Sequence, residues 1–319
     1  MTSTKAQSDW IGDVLHERRQ ISVEGVEIDV AITRRDGSAA PIIFLHGFGG
    51  SKEDYLDIVF HESFKDRTFV AFDAPGCGAT TIRDFSRMSI PFLVKATQAI
   101  LQKLSIQHFH LVGHSMGGLT ALELAFLHPQ SALSFVNIKG NLSPEDCFLS
   151  RQIFTCADKD PEKFLMNFIE RNYRSPFFSA PFYASSVRHK VRPEAVRGIF
   201  ESMVRLSDSG SLIEKFLELP CPRVFMYGNQ YDKLSYLPAL KESNVQLAEI
   251  PHCGHFPMYS NPVAMWDCIS RFEKVIELPH PPLNSVMAMR PQAQMPSGWT
   301  INKRLSGVRL SVKTYGLKA

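Results

Sequence analysis

The chain has 319 residues, of which 44% are hydrophobic and 21% are charged, and its formal net charge at pH 7 is +3. This balance is typical of a soluble globular protein and excludes a mostly disordered chain, a collagen-like chain and a coiled coil. A net charge this small does not indicate a nucleic-acid-binding protein.

Neither a targeting segment nor a membrane span is predicted. The polar N-terminus lacks the apolar core of a signal peptide, and no apolar run reaches the ~20 residues of a membrane helix. The six cysteines form no C-x-x-C pair and no histidine cluster completes a zinc pattern, so we expect no metal and no cofactor. We expect a cytoplasmic protein with free thiols, and the sequence leaves its oligomeric state open.

The sequence predicts two strands near its start and six more along the chain. Residues 21–24 and 27–31 alternate between apolar and polar side chains around Gly25, which predicts an antiparallel pair. Continuous apolar runs, typical of strands buried on both faces, follow at 41–45, 68–72, 109–112, 133–138, 224–227 and 245–250.

Helical periodicity lies between these runs, at residues 90–104, 116–127 and 264–276. Strands that alternate with helices predict a mainly parallel sheet with helices on both faces. The alternation stops between residues 140 and 219, where Asp160-Pro161 and Arg192-Pro193 each indicate a helix start. We interpret this stretch as a helical cap over the carboxyl edge of the sheet.

The predicted organisation has five parts: an N-terminal extension (1–18), the first part of the core (19–139), the cap (140–219), the second part of the core (220–278) and a basic tail (279–319). The tail has six basic and no acidic residues from residue 283 onward. We expect it to be disordered, and a contact with an anionic surface or partner is the alternative.

A nucleophile is predicted where the third apolar run meets a helix. Gly113-His114-Ser115-Met116-Gly117 is a G-x-S-x-G pattern between a strand and a helix, a turn that exposes Ser115 above the sheet. A serine needs a base, and His255, beyond the sixth run, is our candidate, with His252 as the competitor.

The histidine needs an acid to fix its tautomer. Asp232, after the fifth run, is the candidate, and Asp146 is the alternative. The backbone N–H groups of Met116 and Phe48 are the candidate oxyanion donors, since Phe48 lies in the turn after the first buried strand. We interpret His46 and His114 as packing residues.

These motifs resemble the α/β-hydrolase family, in the branch with an H-G-x-G-G turn (His46 to Gly50) and a G-H-S-M-G-G elbow (Gly113 to Gly118). The resemblance spans nearly the whole chain except the tail. It implies the α/β-hydrolase fold, with a mostly parallel eight-stranded sheet, and a serine-histidine-aspartate triad. Asn261-Pro262 departs from the family pattern, where many relatives have Glu-Pro.

The resemblance implies hydrolysis of a small-molecule substrate, and Ser115 with His114 before it favours a carboxylic ester or thioester. The alternatives are a C–C bond hydrolase or lactonase with the same triad, and a non-catalytic sensor of small ligands. The cap is rich in aromatic residues, and we expect Phe177, Phe178 and Phe182 to line an apolar substrate pocket. The alternative is that these rings form the core of the cap.

Overall fold

The structure is a computed structural model that describes residues 14–155, 160–209 and 211–277. Its first two strands form the predicted antiparallel pair. β1 (Leu15–Val23) pairs with β2 (Val26–Arg35) along its whole length. The sheet thus begins before residue 19, and residues 15–18 of the predicted extension belong to it. Residues 1–13 and the predicted basic tail, 279–319, lie outside the described residues.

The remaining strands form a mostly parallel sheet with the order β1-β2-β4-β3-β6-β7-β8-β9. They are β3 (Ala39–Leu45), β4 (Arg67–Phe72), β5 (Thr81–Ile82), β6 (Phe109–His114), β7 (Ala132–Ile138), β8 (Arg223–Gly228) and β9 (Gln246–Ile250). β5 is a two-residue strand that pairs with β2 outside this path, so the eight predicted strands become nine. The parallel strands, β4-β3-β6-β7-β8-β9, are rich in buried residues because helices cover both faces.

The helices of the core include the three that periodicity predicts and two short ones that it does not, at residues 237–242 and 257–260. They are α1 (Ile90–Lys103), α2 (Met116–Leu127), α7 (Leu237–Glu242), α8 (Pro257–Ser260) and α9 (Pro262–Glu277). Nine of the twelve residues of α2 are buried, so this helix is fixed against the middle of the sheet. No helix in the described part of the chain is long and apolar enough to span a membrane.

The inserted segment between β7 and β8 begins with two short 3-10 turns, Pro144–Phe148 and Ser150–Phe154. Three helices follow: α3 (Pro161–Tyr173), α4 (Ala180–Lys190) and α5 (Pro193–Asp208). Asp160 caps α3 as predicted, since its side chain accepts hydrogen bonds from two backbone N–H groups of the first turn. The periodicity did not predict α4, whose hydrophobic pattern is weaker than that of α3 or α5.

The last helix of the predicted cap packs against the core. Phe216 of α6 (Leu212–Glu218) lies edge-on to Phe135 of β7, at 5.8 Å between ring centroids, and Lys215 pairs with Glu123 of α2. The cap helices therefore end with α5, earlier than the predicted boundary at residue 219. The sequence placed α6 in the cap because an amphipathic helix does not reveal which surface covers it.

Candidate active site

Ser115 lies at the junction of β6 and α2 in a strained backbone conformation. Its φ is 51° and its ψ is −117°, a region that non-glycine residues rarely adopt. Its N–H donates to the carbonyl of Ile138 in the neighbouring strand, at 3.0 Å. The side chain is thus held above the carboxyl edge of the sheet, where the sequence pattern predicts it.

The glycines on both sides of Ser115 are required by close backbone contacts. A Cβ on Gly117 would lie 2.1 Å from the carbonyl oxygen of Leu45, and one on Gly113 would lie 2.6 Å from the carbonyl oxygen of Gly117. No side chain fits at these distances, because real Cβ atoms stay more than 3 Å from such neighbours. The G-x-S-x-G spacing is therefore a steric condition for this turn.

His255 lies on the loop after β9 and lines the same cavity as Ser115. Its ring is buried beside three aromatic rings, those of Phe148, Tyr231 and Phe256, with centroid distances of 5.5, 6.0 and 5.0 Å. Burial, with the nearby His114 and Lys139, holds the pKa of His255 well below its ordinary value of 6.5. The imidazole is therefore neutral at pH 7, the form that can accept a proton.

His252, the competing candidate base, is exposed and has a positive φ of 54°. It is not among the residues that line the cavity of Ser115. The structure thus brings His255, and not His252, together with the serine.

His114 connects the serine turn to the histidine loop. Its Nε2–H donates to the carbonyl of His255 at 2.7 Å, which leaves Nδ1 without a proton because burial lowers the pKa of His114 to about 4. Sequence reasoning interpreted His114 as packing only. Its position, buried at the carboxyl end of a central strand and next to the nucleophile, is the signal that could have indicated a polar role.

In the structure, the carboxylate of Asp232 does not bond to the ring of His255. The Asp232 side chain is 46% exposed and pairs with Lys233 at 3.3 Å, whereas the buried Nδ1 of His255 has no hydrogen-bond partner. The loop itself is close, because Asn229 accepts a hydrogen bond from the N–H of Cys253 at 3.0 Å. Tyr231, one residue before Asp232, is the side chain of this loop that packs beside the histidine ring.

The carboxylate of the alternative acid, Asp146, is bonded to groups other than His255. It forms a fully buried ion pair with Lys139 and accepts a hydrogen bond from Tyr236 at 2.9 Å. Its other oxygen accepts from the backbone N–H groups of Leu142 and Ser143, at 2.8 and 3.0 Å. Asp146 lines the cavity of Ser115, but its contacts in this structure are structural.

Met116 directly follows Ser115 in the turn, and Phe48 lines the same cavity as Ser115. The backbone N–H of neither residue donates to another group in the described part of the chain, as a pair of oxyanion donors requires. The carbonyl of Phe48 accepts a hydrogen bond from Tyr183 of α4 at 2.8 Å, so a cap residue fixes the conformation of this turn. The sequence did not predict the role of Tyr183.

His46 holds the same turn from below. Its Nδ1 donates to the carbonyl of Gly47 at 2.8 Å, and its Nε2 accepts from the N–H of Ala74 at 2.9 Å. These two bonds fix the imidazole between two loops, consistent with the structural role that the sequence suggested.

Two cavities meet at His255. The inner cavity contains Ser115 and has mostly apolar walls; the outer cavity shares Phe148, Leu149 and Phe256 with it. The apolar walls of the inner cavity come from Phe48, Leu149, Phe168, Phe200 and Met203. A nucleophile in an apolar, partly enclosed space suits an apolar substrate group.

The three aromatic residues that were predicted to line the substrate pocket lie in different places in the structure. Phe177 lines the outer cavity and stacks on Tyr231, with 5.6 Å between ring centroids. Phe178 and Phe182 line neither of the two cavities that reach His255; Phe182 is 62% exposed and packs on Tyr259, with 5.2 Å between ring centroids.

Within residues 14–155, 160–209 and 211–277, no group of three His, Cys, Asp or Glu side chains could hold a metal ion.

Comparisons with known proteins agree with this architecture. The chain is 22% identical to a Mycoplasma pneumoniae protein named as an esterase/lipase, over 245 residues that cover 72% of this chain and 90% of that protein. A thermophilic esterase from Thermogutta terrifontis matches with a TM-score of 0.64 at 20% identity, covering 82% of this chain and 99% of that one.

The N-acyl homoserine lactonase AidH matches with a TM-score of 0.64 at 18% identity, covering 84% of this chain and 99% of that one. At such identities, the likeness to solved structures shows the fold. A model of the alpha/beta hydrolase family matches residues 42–267, which is more than half of the chain. The protein therefore belongs to the alpha/beta hydrolase family.

Proposed function

We propose that the protein is a serine hydrolase that cleaves a carboxylic ester, or a thioester, of a small to medium apolar substrate. One observation carries the proposal: Ser115, at a strained turn, and a buried neutral His255 line one cavity with mostly apolar walls. A serine hydroxyl becomes a nucleophile only when a base takes its proton, and a neutral imidazole is such a base.

In the proposed reaction, the Ser115 oxygen attacks the substrate carbonyl while Nε2 of His255 takes the hydroxyl proton. The N–H groups of Phe48 and Met116 donate to the oxyanion of the tetrahedral intermediate. His255 then gives the proton to the leaving oxygen or sulfur, and an acyl-enzyme remains on Ser115. Water attacks this ester with His255 as the base, which releases the acid and restores the serine.

Asp232 is the proposed acid, after it turns from Lys233 toward His255. Residues three apart in a 3-10 turn share a face, so Asp232 shares the face of Asn229, which bonds to the loop of His255. The exposed pair of Asp232 with Lys233 is worth at most about 1 kcal/mol, so this rotation costs little. On Nδ1, the carboxylate would fix the tautomer in which Nε2 is unprotonated.

The test is the hydrolysis of p-nitrophenyl esters from acetate to octanoate, with Ser115→Ala and a fluorophosphonate probe. Ser207→Ala, a buried serine outside the cavity, is the matched control and should retain full turnover. We expect turnover and labelling to disappear only in Ser115→Ala. Full turnover by Ser115→Ala would contradict the proposal.

The unpartnered Nδ1 of His255 favours one alternative, a non-catalytic sensor, because an unfixed tautomer weakens the base. Saturable binding of a small ligand without turnover, and without fluorophosphonate labelling of Ser115, would support it. A labelled Ser115 that hydrolyses no simple ester would instead indicate a lactone or a C–C bond as the substrate.

A further inference from the structure

The inner cavity contains a second serine whose hydroxyl has no partner. Ser150 begins the second 3-10 turn after β7, is 2% exposed and lines the cavity together with Ser115. Its Oγ is buried and makes no hydrogen bond. Buried hydroxyl groups are nearly always bonded, because an unbonded one loses its interactions with water and gains nothing in return.

The other polar group in this wall cannot satisfy Ser150. Asp146 accepts two hydrogen bonds on each carboxylate oxygen, from Lys139, Tyr236 and two backbone N–H groups. The bonds of this carboxylate are therefore complete, and its charge is neutralised by Lys139. Besides Nδ1 of His255, the hydroxyl of Ser150 is thus an unbonded polar atom of this cavity that a ligand could bind.

The other walls of the cavity are mostly apolar, so the hydroxyl of Ser150 can determine which substrates bind. The rings of Phe168 and Phe200 and the side chain of Met203 are buried and line the same cavity. An unbonded polar atom set among apolar side chains orients a ligand, because the ligand must place a matching polar atom at that point while its carbonyl lies at Ser115.

We propose that Ser150 recognises a neutral oxygen, of a keto, ether or hydroxyl group, on the acyl chain of the substrate. This inference rests on the proposed acyl transfer from Ser115. The oxygen is neutral because a carboxylate there would be buried in the same cavity as Asp146, while Lys139, the cation beside Asp146, is already paired. The substrate class is therefore an ester of a short oxo-, alkoxy- or hydroxy-acid.

The test compares p-nitrophenyl esters of equal length in which an ether oxygen replaces a methylene. The pairs are methoxyacetate with butanoate, and ethoxyacetate and 3-methoxypropanoate with pentanoate. The measured quantity is the ratio of kcat/KM for the oxygen-containing ester to that for its alkyl partner. Comparing this ratio between wild type and Ser150→Ala cancels the different chemical reactivity of the two esters.

We expect Ser150→Ala to lower this ratio about tenfold for the pair whose oxygen meets Ser150, since that hydrogen bond is lost. Ser207→Ala is the matched control: it is equally buried, but its Oγ accepts a hydrogen bond from Asn141 at 3.1 Å and it lies outside the cavity. Its ratio should equal that of wild type. A ratio that Ser150→Ala leaves unchanged for all pairs would overturn the inference.

Stability gives a second readout that does not require turnover. Ser150→Ala removes an unbonded hydroxyl, so the melting temperature of the free protein should stay the same or rise, whereas Ser207→Ala should lower it. A clear fall in Ser150→Ala would mean that the hydroxyl has a structural partner, and would refute the inference.

If no ester is hydrolysed, the proposed function fails, and the inference is tested by binding. The N-methylamides of the same acids are titrated calorimetrically against wild type and Ser150→Ala. Tighter binding of an oxygen-containing amide by wild type alone would support recognition by Ser150. Equal affinities within every pair would overturn it.

Discussion

Replacing Asp232 by Asn should separate catalysis from stability. In the structure, Asp232 is 46% exposed and contacts Lys233, which is itself 91% exposed. The substitution keeps the shape of the side chain and removes only the charge. If Asp232 turns to His255 during the reaction, then the loss appears in the reaction and not in the folded protein.

The two magnitudes follow from these contacts. An exposed ion pair contributes about 0–1 kcal/mol, so the free energy of unfolding of Asp232→Asn should fall by no more than that. Loss of the acid that fixes the histidine tautomer lowers kcat by roughly 10⁴-fold in serine hydrolases with a triad. We therefore expect a fall in kcat of about three to four orders of magnitude in a protein of nearly normal stability.

Asp146→Asn should show the opposite behaviour and serves as the control. Asp146 and Lys139 are each 1% exposed, and removal of one partner from a buried ion pair costs about 3–5 kcal/mol. This loss arises because the buried ammonium of Lys139 is left without a counter-charge. Asp146→Asn should therefore unfold at much lower urea concentration.

The assay is kcat and KM on the best p-nitrophenyl ester, with urea unfolding of each variant in the same buffer. Lys233→Ala frees Asp232 from its partner and should leave kcat unchanged or raise it slightly. The reasoning fails if Asp232→Asn retains the kcat of wild type. It fails equally if Asp146→Asn retains its stability but loses turnover, because Asp146 would then be the acid.

Three further predictions follow from the histidines and the aromatic residues. His114→Phe removes the donor to the carbonyl of His255, so the free energy of unfolding measured with urea should fall by about 1–3 kcal/mol. We also expect kcat/KM to fall about 10²-fold, since a shift of about 1 Å in the base has this effect. An unchanged kcat/KM would contradict the role of His114 in positioning His255. Because burial lowers the pKa of His114 to about 4 and that of His255 well below 6.5, both stay neutral in the folded protein while they protonate in the unfolded chain, so the stability that they contribute above pH 6.5 is lost as the pH falls toward 4. The contribution of His114 should fall by about 2 kcal/mol between pH 7.5 and pH 5, and a urea series should show a loss smaller by about this amount in His114→Phe. Phe177→Ala should alter the preference among esters with different leaving groups, whereas the exposed Phe182→Ala should leave both selectivity and melting temperature unchanged; equal effects of the two variants would contradict their different positions.

Much of the fold was predictable because its signals are local. The buried strands appear as continuous apolar runs, and the helix of residues 116–127 was predicted with the bounds that the structure gives. The turn of Ser115 was predictable because its pattern occupies five residues between a strand and a helix, although the atom that requires Gly117 is the carbonyl oxygen of Leu45 in another strand. Such patterns require no knowledge of what packs against them.

The position of the candidate acid, Asp232, was not predictable to the same degree, because it depends on the rotation of one residue in a short turn. Tyr231 and Asp232 are neighbours in the sequence, yet the first packs against His255 while the second pairs with a solvent-exposed lysine. The sequence shows that a carboxylate follows β8. It does not show which of two adjacent side chains faces the histidine.

The cap could be predicted as helical, but its contribution to the site could not. Tyr183 of α4 bonds to the carbonyl of Phe48 in one loop and stacks on Phe256 of another, with 4.2 Å between ring centroids. These two loops carry a candidate oxyanion donor and the candidate base. A change in the position of α4 would therefore move both groups relative to Ser115, so under the proposed function we expect the cap to affect the reaction as well as access to the cavity.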